Sequence, residues 1–361
     1  MEATLRSAFP VLERVAYLNT GSVGPIPQAA FEAAQGELRA ALEQGRAAKA
    51  QFERLFELAG KLRERLAARY GATSGEVAIT GATTDGVNAV IGGLDLRPGD
   101  EILTTDEEHP GLLAPLALAR DRHGVAIRTV PFAEIANEVT PATRLVACSH
   151  VSWQTGRIVD AAALAAGPAP VLLDGAQGLG AVPVDVRALG CDYYAASGQK
   201  WLCGPIGAGS LYVRADLIES LHPATPGYQT LADSSDPLGF GLADGAARFD
   251  GGLPPADQTA WALASLDVLD AAGEQALLSR AAELTERLAG LLAERGLTVA
   301  PRGASTLVSW EAEDPQAESL RLLDAGLLVR DLPGTRYVRA SVGAWSSEEE
   351  LERLAGAAGR P

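Results

Sequence analysis

Hydrophobic residues recur along the chain in two rhythms, and the change between them marks where a central sheet begins. From Gln28 to Tyr70 they follow helical spacing and stop at Gly71, which predicts two long helices. Short apolar runs then alternate with helical or turn-rich segments. The predicted strands are Glu76–Thr80, Glu101–Thr104, Ala126–Val130, Leu145–Cys148, Val171–Leu173, Asp192–Ala196 and Gly209–Val213. This alternation predicts an α/β fold, a mostly parallel seven-stranded sheet with helices on both faces.

The pattern changes after Asp216, where a long turn-rich stretch begins. Helices are then predicted near Gln258–Leu269 and Glu274–Arg295, and the last helix has a predicted capping box of Ser346 with Glu349. Short strands between these helices are predicted around Leu307–Trp310, Leu327–Val329 and Tyr337–Val342. We therefore expect an N-terminal segment (1–27), a large domain (28–255) and a smaller α+β domain (256–361).

Charge and composition exclude several classes of protein. The 361-residue chain has 30 basic and 46 acidic residues, a formal net charge of −16, which disfavours nucleic acid and anionic membrane surfaces as partners. The longest apolar stretch, Ala161–Leu173, contains prolines and is shorter than the roughly 20 residues of a membrane-spanning helix. The beginning of the chain resembles neither a secretory nor a mitochondrial leader, so a cytoplasmic location is expected.

The cysteines give no sign of a disulfide framework or a metal site. Cys148, Cys191 and Cys203 lie far apart, without the spacing of metal ligands. We expect them to be buried free thiols.

Lysine is unusually rare, because only three of the 30 basic residues are lysine. Lys49 and Lys61 lie in charged helical sequence and are expected on a solvated surface. Lys200 instead follows a predicted strand and is surrounded by small and apolar residues. Since only a primary amine forms an imine, Lys200 is a candidate for covalent chemistry.

Three strand ends carry residues that suit one ligand, since ligands bind beyond the carboxyl ends of parallel strands. Gly81-Ala-Thr-Thr leads into a helix whose N-terminus can bind a phosphate, although an ordinary threonine cap would look the same. Asp174 follows a wholly apolar strand and could be a structural cap. With Lys200, these are the anchors that pyridoxal phosphate (PLP) needs. No dinucleotide fingerprint is present, which makes a nicotinamide dehydrogenase a weaker hypothesis.

Several motifs together resemble the class V aminotransferase and cysteine desulfurase family of fold type I PLP enzymes, over nearly the whole chain. The motifs are Ala16-Tyr-Leu-Asn-Thr-Gly, Gly81-Ala-Thr-Thr-Asp-Gly-Val-Asn, Glu108-His-Pro, Ser149-His-Val-Ser, Asp174-Gly-Ala-Gln, Asp192-Tyr-Tyr, Ser197-Gly-Gln-Lys, Arg248-Phe-Asp-Gly-Gly and Val338-Arg-Ala-Ser. The family implies PLP as cofactor, an amino-acid substrate, and a homodimer with its sites at the interface.

The resemblance also implies a role for each matching residue. Lys200, His109 and Asp174 are the expected catalytic residues: Lys200 forms the Schiff base, Asp174 pairs with the pyridine nitrogen, and His109 stacks on the ring. Gln177 is expected to donate to the ring hydroxyl oxygen. The phosphate is expected among Gly81, Thr83, Thr84, Ser197 and Gln199, and the substrate among Arg339, which takes its carboxylate, Asn19, Thr20 and Trp153. On the residues alone, His109 could equally be a capping or core histidine, and Arg339 a solvated strand arginine.

One departure from the family bears on the reaction. Desulfurases use a mobile cysteine ahead of the carboxylate-binding arginine, whereas residues 329–339 of this chain contain none. Trp153 and Gln199 also replace an asparagine and a histidine that are common in desulfurases. We therefore expect β-elimination from a cysteine-like amino acid through an external aldimine and a quinonoid, without an enzyme persulfide. The alternatives are a class V aminotransferase, an amino-acid epimerase, and a non-catalytic PLP-binding module.

Overall fold

The structure, a computed structural model, describes residues 2–359, and a seven-stranded sheet lies at its centre. The strands, in chain order, are β1 (Ala16–Tyr17), β2 (Val77–Thr80), β3 (Glu101–Thr105), β4 (Ala126–Val130), β5 (Thr143–Ser149), β6 (Val171–Asp174), β7 (Tyr193–Ser197), β8 (Gly209–Val213), β9 (Leu307–Glu311), β10 (Leu327–Leu328), β11 (Arg330–Asp331) and β12 (Tyr337–Ser341). The central sheet has the order β2-β8-β7-β6-β5-β3-β4, and within it only β8 is antiparallel to its neighbours. The predicted α/β class, with a mostly parallel seven-stranded sheet, is confirmed.

Helices cover both faces of this sheet. They are α1 (Glu2–Ser7), α2 (Gln28–Gln44), α3 (Lys49–Tyr70), α4 (Thr83–Gly93), α5 (Pro110–His123), α6 (Ala161–Ala165), α7 (Val186–Leu189), α8 (Ala256–Ala272), α9 (Glu274–Glu294), α10 (Pro315–Asp324) and α11 (Glu348–Ala357). The two long helices predicted before the first core strand are confirmed. The second ends at Gly71, which takes a left-handed conformation (φ 66°) that a residue without a side chain adopts at little cost.

Burial on both faces explains why the strand sequences are continuously apolar. Leu172 belongs to one hydrophobic core, together with residues of α4 and α5, while its neighbour Leu173 belongs to the opposite core with residues of α3. Successive side chains of a strand point to opposite faces, so a strand covered on both sides needs apolar residues at every position.

The register of the parallel strands brings their carboxyl ends to one edge of the sheet. Ser149, the last residue of β5, pairs with Asp174 of β6, and Asp174 pairs with Ala195 of β7. Lys200 follows β7 by three residues. The strand ends that the sequence singled out are therefore neighbours.

A second, antiparallel sheet of order β11-β12-β9 forms in the C-terminal part of the chain. Arg339 of β12 pairs with Arg330 on one side and with Ser309 on the other. The segment before α2 connects the two sheets, because Ser341 of β12 donates its N–H to the carbonyl of Leu18, and Gly24 donates its N–H to the carbonyl of Gln199, two residues after β7, both at 2.7 Å.

The predicted capping box of Ser346 with Glu349 is wrong by one residue. Ser347 is the N-cap of α11, and its hydroxyl and Glu350 form the reciprocal pair. The sequence offers the same spacing twice, and burial decides between the two: Ser346 is 1% exposed. Glu350 also binds Arg6, which holds α11 against the N-terminal segment.

The surface positions predicted for two of the lysines are confirmed. Lys49 and Lys61 lie on the exposed side of α3, each paired with a glutamate one turn away. From residue 2 to residue 359, no helix is both long enough and apolar enough to cross a membrane.

Candidate active site

A cavity of about 390 Å³ opens at the carboxyl edge of the central sheet and extends to the C-terminal sheet. Ten of the predicted site residues line it. They are Thr83, Thr84, His109, Trp153, Asp174, Gln177, Ser197, Gln199, Lys200 and Arg339. Residues up to 256 positions apart in the sequence thus meet around one space, as their positions at strand ends predict.

The other three predicted residues, Asn19, Thr20 and Gly81, do not line the cavity. Their neighbours do, and they include Gly21 and Ala82. Thr20 is fully buried, and its hydroxyl has no partner among residues 2–359; the Asn19 side chain accepts a hydrogen bond from the Ser22 hydroxyl at 2.7 Å. The motifs lie in segments that border the cavity, but they did not indicate which residue of each turn faces it.

Lys200 lies half-buried at the cavity, and its amine has no hydrogen-bond partner among the residues that the structure describes. Burial lowers the pKa of this amine to about 8; the negative charge of Asp174 opposes the shift, and Arg339 and Arg330 add to it. An amine with a pKa near neutrality is partly unprotonated, which an attack on an aldehyde requires.

Asp174 ends β6 and is 6% exposed. One of its oxygens accepts the N–H of Ala176 at 2.9 Å. Burial raises the pKa of this carboxyl, against the stabilising effects of that hydrogen bond and of Lys200. A buried carboxylate without a close ion pair is costly unless a cationic group binds beside it.

One end of the cavity is built to bind an anion. The N-terminus of α4 has no side-chain cap, and the hydroxyl of Thr83 lies 3.1 Å from that of Ser197. Gln199 lines the same cavity, and the Nε2 of its amide is a potential donor. Gly209 of β8 packs closely against Ala82, the N-cap of α4, since a Cβ added at Gly209 would lie 2.8 Å from the backbone of Ala82. Free helix N–H groups with hydroxyls beside them suit a phosphate.

His109 is the N-cap of α5, as one of the alternatives from the sequence expected. Its Nδ1 accepts the N–H of Gly111 at 2.9 Å, which leaves the ring proton on Nε2. The ring nevertheless faces the cavity. Loss of contact with water lowers the pKa of His109 to about 4, and the positive charges of Lys200, Arg330 and Arg339 lower it further. The imidazole is therefore neutral at pH 7.

Gln177 is held rigidly at the cavity wall. Its Nε2 donates to the carbonyl of Gly21 at 2.7 Å, and its Oε1 accepts from the Trp201 indole at 3.0 Å. The side chain is 4% exposed. Its amide orientation is therefore fixed from both ends.

Arg339 is fully buried, which excludes the solvated strand arginine. Its Nη1 donates to the carbonyl of Trp153 at 2.8 Å, while Nε and Nη2 have no partner in residues 2–359. Burial lowers the pKa of this guanidinium to about 9, and Arg330 contributes to the shift. Two unused donors in fork geometry match the two oxygens of a carboxylate.

Sequence reasoning missed Arg330, which lines the same cavity. It donates to the Ser22 hydroxyl and to the carbonyl of Asp331, both at 3.2 Å, and it has no acidic partner among the described residues. The sequence did contain a pattern that indicates this position, because Val-Arg occurs on either side of the short turn at Pro333-Gly334. A hairpin there places Arg330 opposite Arg339.

These residues fit PLP: the amine, the buried acid and the anion site surround one space, and each has unused bonding capacity. The fold and the cavity thus define a PLP-dependent enzyme. The profile of the family described as aminotransferase class-V matches residues 16–354. The chain belongs to that family.

Individual relatives differ in activity. A probable cysteine desulfurase of Methanothermobacter thermautotrophicus is 28% identical, with 97% of this chain and 95% of the relative covered. An isopenicillin N epimerase of Streptomyces clavuligerus is 32% identical, with 95% and 94% covered. A solved structure described as the complex between the cystine C-S lyase C-DES and its reaction product cysteine persulfide has a TM-score of 0.91 and 30% identity, and covers 96% of this chain and 98% of its own.

Proposed function

We propose that this PLP-dependent enzyme cleaves a carbon–sulfur bond of a cysteine-like amino acid by β-elimination, without a persulfide on the protein. The observation that carries the proposal is the placement of the thiols. All three cysteines are buried, and burial raises the pKa of each, that of Cys191 to about 12. None lines the cavity. A sulfur acceptor must be an accessible thiolate, so these side chains are unsuited to take sulfur from a substrate.

Lys200, Asp174 and Gln177 are proposed to hold the ring of PLP, and Thr83, Thr84, Ser197 and Gln199 its phosphate. When bound, PLP supplies an electron sink for the carbanion formed at the α-carbon of an amino acid. His109 is proposed to lie against the ring as a neutral imidazole, which adds no further positive charge to the cavity.

Lys200 is proposed to take the α-proton once the substrate has displaced it. The lowered pKa suits this step, because the free amine is present near pH 8 and can accept a proton. Arg339 holds the α-carboxylate with its two unused donors and so fixes the α-carbon near the amine.

Two observations favour a disulfide such as cystine over free cysteine. Arg330 provides a second guanidinium in the same cavity, without an acidic partner in the described part of the chain, and cystine has a second carboxylate. The solved relative with a TM-score of 0.91 is a cystine lyase by its description. The reaction balances without an oxidant: cystine and water give pyruvate, ammonia and cysteine persulfide, and the electrons of the broken bond leave with sulfur.

The test is to incubate the holoenzyme with L-cystine and with L-cysteine and to measure pyruvate, ammonia and persulfide or sulfide. We expect pyruvate and persulfide in equal amounts from cystine, and unchanged turnover in a variant with all three cysteines replaced by alanine. A keto acid formed together with pyridoxamine phosphate would indicate an aminotransferase. Unchanged cofactor absorbance with every amino acid would indicate a non-catalytic PLP-binding module.

An epimerase is the second candidate, favoured by the epimerase relative that aligns over 95% of this chain. The two reactions differ in the fate of the α-carbon. In heavy water an epimerase gives the α-deuterated amino acid of both configurations and no pyruvate, whereas elimination gives pyruvate. Chiral chromatography of the recovered amino acid separates the two candidates.

We also propose that the enzyme is a homodimer. Large apolar side chains are exposed on the neighbouring helices α2 and α3, among them Phe31 (53%), Leu42 (85%) and Phe56 (51%), and a second copy would cover such a surface. Sedimentation equilibrium should give twice the monomer mass. A monomer with full activity would contradict the proposal.

A further inference from the structure

The turn at residues 152–157 joins the central sheet to the C-terminal sheet beside Arg339. The carbonyl of Trp153 accepts from Arg339, and the next carbonyl, that of Gln154, accepts from the Ser309 hydroxyl. Arg339 and Ser309 are directly paired across β12 and β9. The turn therefore docks on one cross-strand pair, and its conformation fixes where the Arg339 guanidinium is held.

A single carboxylate, that of Glu107, secures this turn from the other side. Its Oε2 accepts from the hydroxyls of Ser152 and Thr155, and its Oε1 accepts from Nη1 of Arg157 at 3.2 Å. The Ser152 hydroxyl in turn accepts the N–H groups of Gln154 and Thr155, both at 3.2 Å. Glu107 is 13% exposed, so these bonds are largely shielded from water.

We infer that Glu107 is a positioning residue for the substrate carboxylate, acting through the 152–157 turn on Arg339. The inference rests on the proposed role of Arg339 as the carboxylate site. It does not depend on whether the bound amino acid is then eliminated, epimerised or transaminated.

The physical argument concerns orientation. Arg339 has one nitrogen fixed by the Trp153 carbonyl and two donors free, so the direction of the free donors follows from the position of that carbonyl. Glu107 accepts three hydrogen bonds as a carboxylate, whereas a glutamine has an NH₂ group that donates in place of one oxygen. Replacing Glu107 by glutamine therefore releases at least one anchor of the turn without emptying the space.

The experiment uses Glu107→Gln holoenzyme and two probes, L-alanine and ethylamine. The probes share the amine, but ethylamine lacks the carboxylate. Dissociation constants are read from the change in cofactor absorbance on binding, which requires no product. We expect the Kd of L-alanine to rise about tenfold, which corresponds to about 1.4 kcal/mol, and that of ethylamine to stay unchanged. In an Arg339→Ala background, Glu107→Gln should cause no further loss, because the two residues act in series.

Glu101→Gln is the matched control. Glu101 begins the same strand, β3, at the end away from the cavity; it is 16% exposed and likewise binds one arginine and one threonine, Arg128 and Thr143. Its replacement should leave the L-alanine Kd unchanged. Thermal melting of both variants measures any general loss of stability. If Glu107→Gln does not fold, Thr155→Val removes one donor to the same carboxylate and should raise the Kd of L-alanine selectively.

Three results would overturn the inference. The first is a Kd that rises equally for L-alanine and for ethylamine in Glu107→Gln. The second is a Kd of L-alanine that rises equally in Glu107→Gln and in Glu101→Gln. The third is an effect of Glu107→Gln on the Kd of L-alanine that is as large in the Arg339→Ala background as in the wild-type enzyme. If instead the Kd values behave as expected but the holoenzyme forms no pyruvate from cystine, the inference stands and the proposed elimination fails.

Discussion

The imidazole of His109 lies edge-on to the indole of Trp153, with ring centroids 5.1 Å apart and an angle of 83° between the planes. The two rings come from different strand ends and together form one wall of the cavity. Edge-to-face aromatic pairs contribute about 0.5–1.5 kcal/mol beyond their burial. The orientation of His109 therefore depends on Trp153 as well as on its own bond to Gly111.

The first prediction concerns this pair. Trp153→Leu removes the ring but keeps the carbonyl that binds Arg339, so we expect kcat/KM to fall by up to about tenfold. The visible circular dichroism of the bound cofactor should change as well, because His109 loses its neighbour. Trp153→Phe keeps an aromatic edge and should retain most of the activity; equal losses in both variants would contradict the expectation.

The second prediction concerns covalent attachment. Reduction of the holoenzyme with borohydride should fix the cofactor on the peptide that contains Lys200, as mass spectrometry can show. Lys200→Ala should abolish labelling, while Lys61→Ala, on the exposed side of α3, should leave it unchanged. Because the chain has only three lysines, a label on residue 49 or 61 would be unambiguous and would refute the assignment.

The third prediction concerns pH. Burial lowers the pKa of Lys200 to about 8, so the fraction of free amine in the apoenzyme increases as pH rises through 8. The rate at which the apoenzyme incorporates PLP should follow with a midpoint near that value, about two units below that of an ordinary lysine. Stopped-flow absorbance between pH 6 and 10 measures it, and a rate still rising steeply at pH 10 would contradict the shift.

The fourth prediction separates binding from stability at Arg339. This side chain buries a guanidinium with two unused donors, which is a cost that the folded apoenzyme carries until a carboxylate binds. Arg339→Met should therefore raise the apparent Kd for amino acids at least about tenfold while not lowering the free energy of unfolding of the apoenzyme. Urea unfolding and absorbance titration test the two parts separately. A large loss of stability would show that the arginine is needed for folding.

The fifth prediction concerns the approach of the N-terminal segment to Lys200. A Cβ added at Gly24 would lie 2.2 Å from the carbonyl oxygen of Lys200, so Gly24→Ala must displace one of the two backbones. We expect a loss of more than about 1 kcal/mol in the free energy of unfolding, together with weaker PLP binding. Gly36→Ala, in α2 with open space around it, should instead stabilise by about 0.5–1 kcal/mol.

Sequence reasoning succeeded where one local property determines structure. Strands such as β6 are buried on both faces, so their continuous apolar runs can be recognised from the sequence of the strand alone. The carboxyl ends of parallel strands lie at one edge of the sheet, whatever their side chains are. This is why Asp174 and Lys200 could be paired before the structure was known.

Sequence reasoning failed where contacts with residues distant in sequence determine which side chain occupies a position. Whether Thr20 or Gly21 faces the cavity depends on the course of the chain between two sheets. Ser347, and not the buried Ser346, is the N-cap of α11. The anchoring role of Glu107 depends on hydroxyls about 45 residues away in sequence, which no local pattern reveals.

The seclusion of Cys148, Cys191 and Cys203 in the interior has a consequence for durability. A persulfide product exchanges with accessible thiolates, and an enzyme that released it beside its own reactive cysteine would accumulate mixed disulfides with use. This chain offers no such target. If the proposed elimination is the reaction, the same burial that removes a sulfur relay makes the catalyst resistant to poisoning by its persulfide product, and the sulfur leaves as a diffusible molecule.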